Sequence, residues 1–255
     1  MTSTPHLCGL ILAAGESSRM GTDKALLPWP PQQSSRVPQV SILRLGIPQP
    51  AAPTAASLAK QTLLSAGILA LQPLTLAVIV VAGRNADSLA PIVDANGAIL
   101  IRNPAPERGQ FSSLQNGLRE LLARGYNAAM ITPVDCPPLR SASLELLIAG
   151  FVRALARDLW AVVPEKDGKH GHPLLVNRDL IEALLAAPVS SNAREVLGAN
   201  AHRIEYIPVP DTLAKAGVNT PQDYTALAPG GSADDSPGWS PPKANAILGA
   251  HRKKS

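Results

Sequence analysis

Short runs of Val, Ile and Leu alternate along this chain with segments of helical period. That alternation is the pattern of a mostly parallel sheet covered by helices on both faces. It predicts strands over Gly9 to Ala13, Leu76 to Val81, Ala98 to Arg102, Ala128 to Pro133, Trp160 to Pro164, Pro173 to Val176 and Ile204 to Val209. The clearest helix runs from Ser113 to Ala123, where Leu114, Leu118, Leu121 and Leu122 share one face and Gly125 stops the run. Further helices are predicted over Ala55 to Ser65, Ser143 to Arg157, Arg178 to Ala186 and Ala193 to Ala199, with no internal repeat.

Two segments break the pattern. Pro28 to Pro53 is rich in proline, with Gln and Ser between, so it can be neither a regular helix nor a central strand and reads as an insertion or lid. From Pro229 onward Gly, Ser, Pro and Asp dominate and the chain ends in His251-Arg252-Lys253-Lys254, the composition of a flexible basic tail. The 255 residues, 45% of them hydrophobic, suffice for one sizeable core. The expected organisation is one α/β domain over residues 1–228, interrupted by a proline-rich insertion at about 30–53, and a tail over 229–255.

The net charge of +4 is inflated by that tail, so the body is only mildly basic. Three Tyr, two Phe and three Trp form no stacking series, and no basic stripe accompanies them, which argues against nucleic acid as a partner. The apolar runs Leu7 to Ala14 and Leu74 to Ala82 are too short to cross a bilayer, and the first has no basic leader. Cys8 and Cys136 belong to no metal-ligand or redox spacing, which fits reduced thiols and a cytoplasmic setting. Cys136 has no base at a recognisable spacing and reads as a packed thiol.

The most informative passage is LILAAGESSRMGTDKALLPW, starting at Leu10, a buried strand that runs into a loop of small residues. Ala13, Ala14 and Gly15 leave backbone N–H groups uncovered at the carboxyl end of a strand, where a phosphate can approach them. Arg19 suits a bidentate grip on terminal phosphates, and Lys24 a point charge beside a reacting phosphoryl group. No Gly-Lys-Ser/Thr follows and no GxGxxG is present, which disfavours a P-loop kinase and a dinucleotide-dependent dehydrogenase.

Asp135 stands just past another buried strand, in TPVDCPPL, where a lone carboxylate suits Mg²⁺, an ion that keeps most of its water and takes few protein oxygens. It would serve equally as a turn or capping residue before proline. Asn219 in NTPQDY offers a weaker, uncharged oxygen, with Thr220 and Pro221 set as N-cap and first residue of a helix. Ser112 and Ser113 precede the best helix and can cap it or face a ligand. His170 and His172 lack a third ligand for zinc.

The loop string resembles the signature of the MobA-like NTP transferases, the molybdenum cofactor cytidylyltransferases and guanylyltransferases, and especially the cytidylyltransferase branch. The resemblance covers about Leu7 to Leu227, apart from the stretch after Trp29, where a proline-rich sequence replaces a short Gly turn. It implies a Rossmann-like sheet of the GT-A-like nucleotidyltransferase type. Leu12, Ala13, Ala14 and Gly15 would wrap the triphosphate, with Arg19 on the outer phosphates and Lys24 near the α-phosphate. Asp135 and Asn219 would hold Mg²⁺, Ser112 and Ser113 would lie near base and ribose, and His172 of Gly-His-Pro would border the acceptor. The implied reaction transfers NMP from CTP or GTP to a phosphorylated acceptor such as molybdopterin and releases pyrophosphate, with a molybdoenzyme as a further partner. Two alternatives stay open: transfer to a sugar or alcohol phosphate, and a nucleotide-binding partner protein without turnover.

Overall fold

The computed structural model describes residues 5–15, 20–31 and 62–228. The strands are β1 (Leu7–Ala13), β2 (Val78–Ala82), β3 (Ile99–Arg102), β4 (Ala128–Pro133), β5 (Ala161–Lys166), β6 (Lys169–His170), β7 (Leu174–Val176) and β8 (Ile204–Pro208). The helices are α1 (Leu63–Leu71), α2 (Ala86–Ala95), α3 (Gln110–Ala123), α4 (Ser141–Leu155), α5 (Arg178–Ala186), α6 (Ala193–Ala199) and α7 (Pro221–Ala226).

All seven residues of β1 are buried, because this strand is the sheet's centre and both its faces are covered. Leu7, Ile11 and Ala13 pack on one side with Leu64 and Ile68 of α1, Leu89 of α2 and Phe151 of α4. Cys8, Leu10 and Leu12 point the other way, onto Leu114, Leu118 and Leu121 of α3 and Leu180 and Leu184 of α5. The period of two thus divides one strand between two cores, giving a sheet between two helical layers.

β1 pairs in parallel with β2 on one side and β4 on the other, and β3 continues in parallel beyond β2. The chain therefore builds outward from β1 through β2 to β3 and then returns to the far side of β1 as β4. The loops after β1 and β4 diverge at that reversal, which is where open α/β sheets hold their ligands. Beyond β4 the sheet is mixed: β7 is antiparallel to β4 and to β5, β6 is antiparallel to β5, and β8 is parallel to β5.

Most expected elements are found within about two residues of their positions, and β4, α5 and α6 coincide with them. Three differ. The helix expected over Ala55 to Ser65 overlaps α1 at its end: Thr62 caps α1 in a capping box with Ser65, and the helix runs through Gly67 to Leu71, while residues 55–61 lie outside the described residues. Helix α2 was not anticipated because Pro91 interrupts its pattern; the proline is exposed, so its missing N–H and bulky ring face solvent while Leu89, Ile92 and Val93 are buried. β6 is only two residues long and carries no periodic signal. The proline-rich segment after Pro31 and the tail from 229 lie outside the described residues.

Candidate active site

The carboxyl end of β1 leads into Ala14 and Gly15. Arg19, with residues 16–18, lies outside the described residues. The chain is described again from Met20, and Asp23 caps the single turn Lys24–Leu26 by accepting from the Ala25 N–H at 3.0 Å. That turn aims Lys24 across the end of the sheet. Its Nζ donates to Asp135 Oδ2 at 2.9 Å and to Asn219 Oδ1 at 3.1 Å. Three residues far apart in sequence thus converge on one point at the β1/β4 reversal.

Each partner is placed by local chemistry. Asp135 follows β4 in a turn closed by Cys136 N–H donating to the Pro133 carbonyl, while Val134 N–H donates to Leu12 of β1. The Val218 N–H donates to the Asp135 carbonyl at 2.8 Å, which draws Asn219 alongside. Thr220 caps α7 with Pro221 at the first position, and Asp223 closes a capping box. The Asp223 Oδ2 also accepts the backbone N–H groups of Asn219 and Thr220, and these bonds, led by those from Thr220, hold its carboxyl below the usual carboxylate range. The Tyr224 hydroxyl donates to the Pro28 carbonyl at 2.5 Å, tying α7 to the segment after Lys24.

These groups edge an open cleft of about 640 Å³, whose walls include Leu12, Ala14, Gly15, Lys24, Ser113 and Asp135. The amino end of α3 opens into it through Gly109 and Gln110. Free N–H groups at a helix start favour an anion or a polar ring edge there.

Residues 9–204 match the family model of the MobA-like NTP transferase domain. The chain belongs to this family. Among curated proteins it is similar to a probable molybdenum cofactor guanylyltransferase of Mycobacterium avium (strain 104), 26% identical over 230 residues, covering 89% of this chain and 98% of the relative. Among solved structures it shares its fold with Rv0371c of Mycobacterium tuberculosis H37Rv, at TM-score 0.62, 21% identity and coverage of 89% of this chain and 98% of the other. A second structure of that protein, a complex with manganese, matches at TM-score 0.57 with 19% identity, covering 87% and 97%. Membership makes this chain a nucleotidyltransferase that acts on an NTP.

In this MobA-like domain the metal question turns on oxygen donors. Among the described residues no group of three or more His, Cys, Asp or Glu could hold an ion. The oxygens of Asp135 and Asn219 do face one point, where the Lys24 ammonium stands in for a cation. Two such oxygens fit a hard ion that completes its shell with water and phosphate, and they do not fit zinc.

Ser112 and Ser113 are not caps. The N-cap is Gly109, at φ 89°, and makes no side-chain cap bond, so the serines fall inside the first turn of α3. Both are buried, and Asn103 Nδ2 donates to each hydroxyl at 2.9 Å. Ser113 lines the cleft, whereas Ser112 turns back to donate to the Gly109 carbonyl.

A second open cleft of about 770 Å³ adjoins the first, sharing Leu12, Gln110 and Pro133. His172 lines it, with His170 stacked on Tyr206 at 4.0 Å on its wall. The His172 Nδ1 is shielded from solvent and has no partner. Burial pushes the His172 pKa down, against the Ile131 carbonyl and Asp135, so the ring is neutral at pH 7. Gly171 is required beside it: a Cβ there would stand 1.7 Å from the Ala214 carbonyl oxygen. Burial first, and then Asp135, pushes the Cys136 thiol up to about 12, so it is a packed and inert thiol as its sequence context suggests.

Asn85 escaped the sequence reading. It lies at the start of α2, at the mouth of the loop after β1, and its side chain donates to Asp23 and to the Ala13 carbonyl. An asparagine after a buried strand carries no distinctive spacing, so only the fold shows its reach. No helix among the described residues is long and apolar enough to cross a membrane.

Proposed function

We propose that this chain transfers the NMP of CTP or GTP to molybdopterin and releases pyrophosphate, using Mg²⁺. The observation that carries the reading is the convergence of Lys24, Asp135 and Asn219 beside an open cleft of about 640 Å³ at the sheet's reversal. The molybdenum cofactor guanylyltransferase named among its relatives supports the acceptor, and the manganese complex of a protein of the same fold supports a divalent ion. The catalytic unit is residues 1–228. The two free thiols suit a reducing compartment such as the cytoplasm, where a molybdoenzyme would receive the product.

In this reading Ala14 and Gly15, which line the cleft, present backbone N–H groups to the triphosphate and Arg19 grips its outer phosphates, while Ala13, buried at the end of β1, sets where they stand. Asp135 and Asn219 hold Mg²⁺, which when bound neutralises charge on the phosphates and aligns them. Lys24 leaves its carboxylate partner for the α-phosphate and stabilises the charge that grows there. Ser113 and the start of α3 face the base and ribose. His172 borders the acceptor in the second cleft. A phosphate monoester is largely ionised at pH 7 and attacks phosphorus without a general base. The neutral His172 is therefore a binding group and no proton acceptor in the reaction.

The test is pyrophosphate release with each of the four NTPs and Mg²⁺, with and without molybdopterin, alongside Asp135→Ala. Release with CTP or GTP that needs both molybdopterin and Asp135 is the expected result. Absence of release with every NTP overturns the proposal.

A further inference from the structure

Asn85 sits where it should cap α2, yet makes no side-chain cap bond. Its carboxamide is spent elsewhere. Nδ2 donates to the Ala13 carbonyl at 2.9 Å and to Asp23 Oδ2 at 2.6 Å, and Oδ1 accepts the Gly83 N–H at 3.0 Å. Both donor directions of the amide and its acceptor are used. Ala13 is the last residue of β1, and Asp23 immediately precedes Lys24. The described ends of the segment between β1 and Lys24 therefore meet at one side chain.

Asp23 extends the connection. One of its oxygens receives Asn85, and the other accepts the Ala25 N–H and so shapes the turn that carries Lys24. β2 approaches closely enough to make this possible: a Cβ on Gly83 would stand 2.9 Å from the Ala14 carbonyl oxygen. Hydrogen bonds thus link the end of β2, through Asn85 and Asp23, to the backbone of the turn that carries Lys24, whose ammonium meets Asp135 and Asn219.

We propose that Asn85 is a positioning residue, a clasp that closes the base of the phosphate loop and aims Lys24 through Asp23. This rests on the reading that the loop after β1 holds the NTP. Ordering the loop's two ends before the nucleotide arrives lowers the cost of binding, and the directed Lys24 favours the transfer step. Loss of the clasp therefore affects the NTP and the rate, and leaves the second cleft alone.

The discriminating variant is Asn85→Asp, which keeps the side-chain size and the acceptor for Gly83 N–H, removes both donors and sets two carboxylates against each other. The measurement is steady-state turnover with CTP or GTP, Mg²⁺ and molybdopterin, together with NTP affinity by calorimetry. The expected result is a KM for the NTP raised and a kcat lowered, each by roughly tenfold or more as for a misplaced reacting group, with the KM for molybdopterin unchanged. Adding Asp23→Asn to that variant restores an amide–carboxylate pair in the opposite sense and leaves an oxygen for the Ala25 N–H; it recovers the part of the loss that arises at Asp23, while the Ala13 carbonyl stays without its donor. An Asn85→Asp enzyme within about twofold of wild type overturns the clasp, as does an equal loss in all three parameters that the second substitution does not repair. If Asn85→Asp alone does not fold, a folded and active double variant supports the pairing, and a double variant that also fails overturns it. Failure of the transferase reading looks different: the wild-type protein then releases no pyrophosphate with any of the four NTPs.

Discussion

The two halves of the sheet build their clefts by different means. In the parallel half, β3, β2, β1 and β4 all end at one edge, and Lys24 and Asp135 come from the segments that follow β1 and β4. Lys24 and Asp135 owe their positions to those strand ends. In the mixed half, strands run both ways, and side chains of β5, β6, β7 and β8, with α6 alongside, wall the second cleft against Leu12 of β1, Ile131 of β4 and the start of α3. His172 is placed there by contact: Gly171 passes under Ala214, and the His172 N–H donates to the Ala214 carbonyl. Parallel strands collect loop residues at one edge whatever the loops contain. A mixed sheet does so only where packing happens to bring side chains together.

Four substitutions sharpen this contrast. The largest effect belongs to the parallel half: Asp135→Ala lowers kcat by about 100- to 1000-fold while the urea midpoint stays near wild type, because Asp135 is a partly exposed loop residue holding charge, not core. The corresponding insult to the mixed half acts on folding. Gly171→Ala forces a Cβ into the Ala214 carbonyl, and about 2–3 kcal/mol of stability is lost in urea unfolding. A Gly171→Ala protein as stable as wild type would erase the distinction.

Smaller effects test the details. Asn219→Asp adds a second carboxylate where Lys24 already meets Asp135. It lowers the Mg²⁺ concentration for half-maximal turnover by roughly tenfold, about 1.4 kcal/mol, read from a magnesium titration. The smallest effect concerns pH. The folded His172 pKa lies below its ordinary value because burial disfavours the charged ring, so the unfolded chain takes up the proton first as pH falls. The stability due to the neutral ring is complete above about 6.5 and declines as pH falls from there through the folded pKa. His172→Gln flattens the decline between about pH 7 and pH 5 in urea melts, since its side chain does not titrate.

Most strands were legible because buried parallel strands are written as runs of Val, Ile and Leu, and β4 is found where its run ends at Pro133. The loop after β1 and the acid after β4 were legible for the same reason: their spacing from a recognisable strand end places them. Ser112 and Ser113 misled as caps because Gly109, at positive φ, caps the helix three residues before the first of these hydroxyls. Helix α2 was hidden by an exposed Pro91, and Asn85 by the ordinariness of an asparagine in a loop.

By itself, then, the chain's order of residues determined the layered α/β architecture and the candidacy of the loop after β1, Lys24, Asp135, Asn219 and His172. The architecture follows from local pattern, since burial repeats along a strand or helix with a fixed period; Asn219 and His172 were candidates through the family's motifs. Only the tertiary structure decided that Lys24 bridges Asp135 and Asn219, that the serines of α3 answer to Asn103, and that Asn85 joins both ends of the loop. Those contacts join residues brought together by the crossover order of the strands, and hydrogen bonds formed across such distances leave no period in the sequence to read.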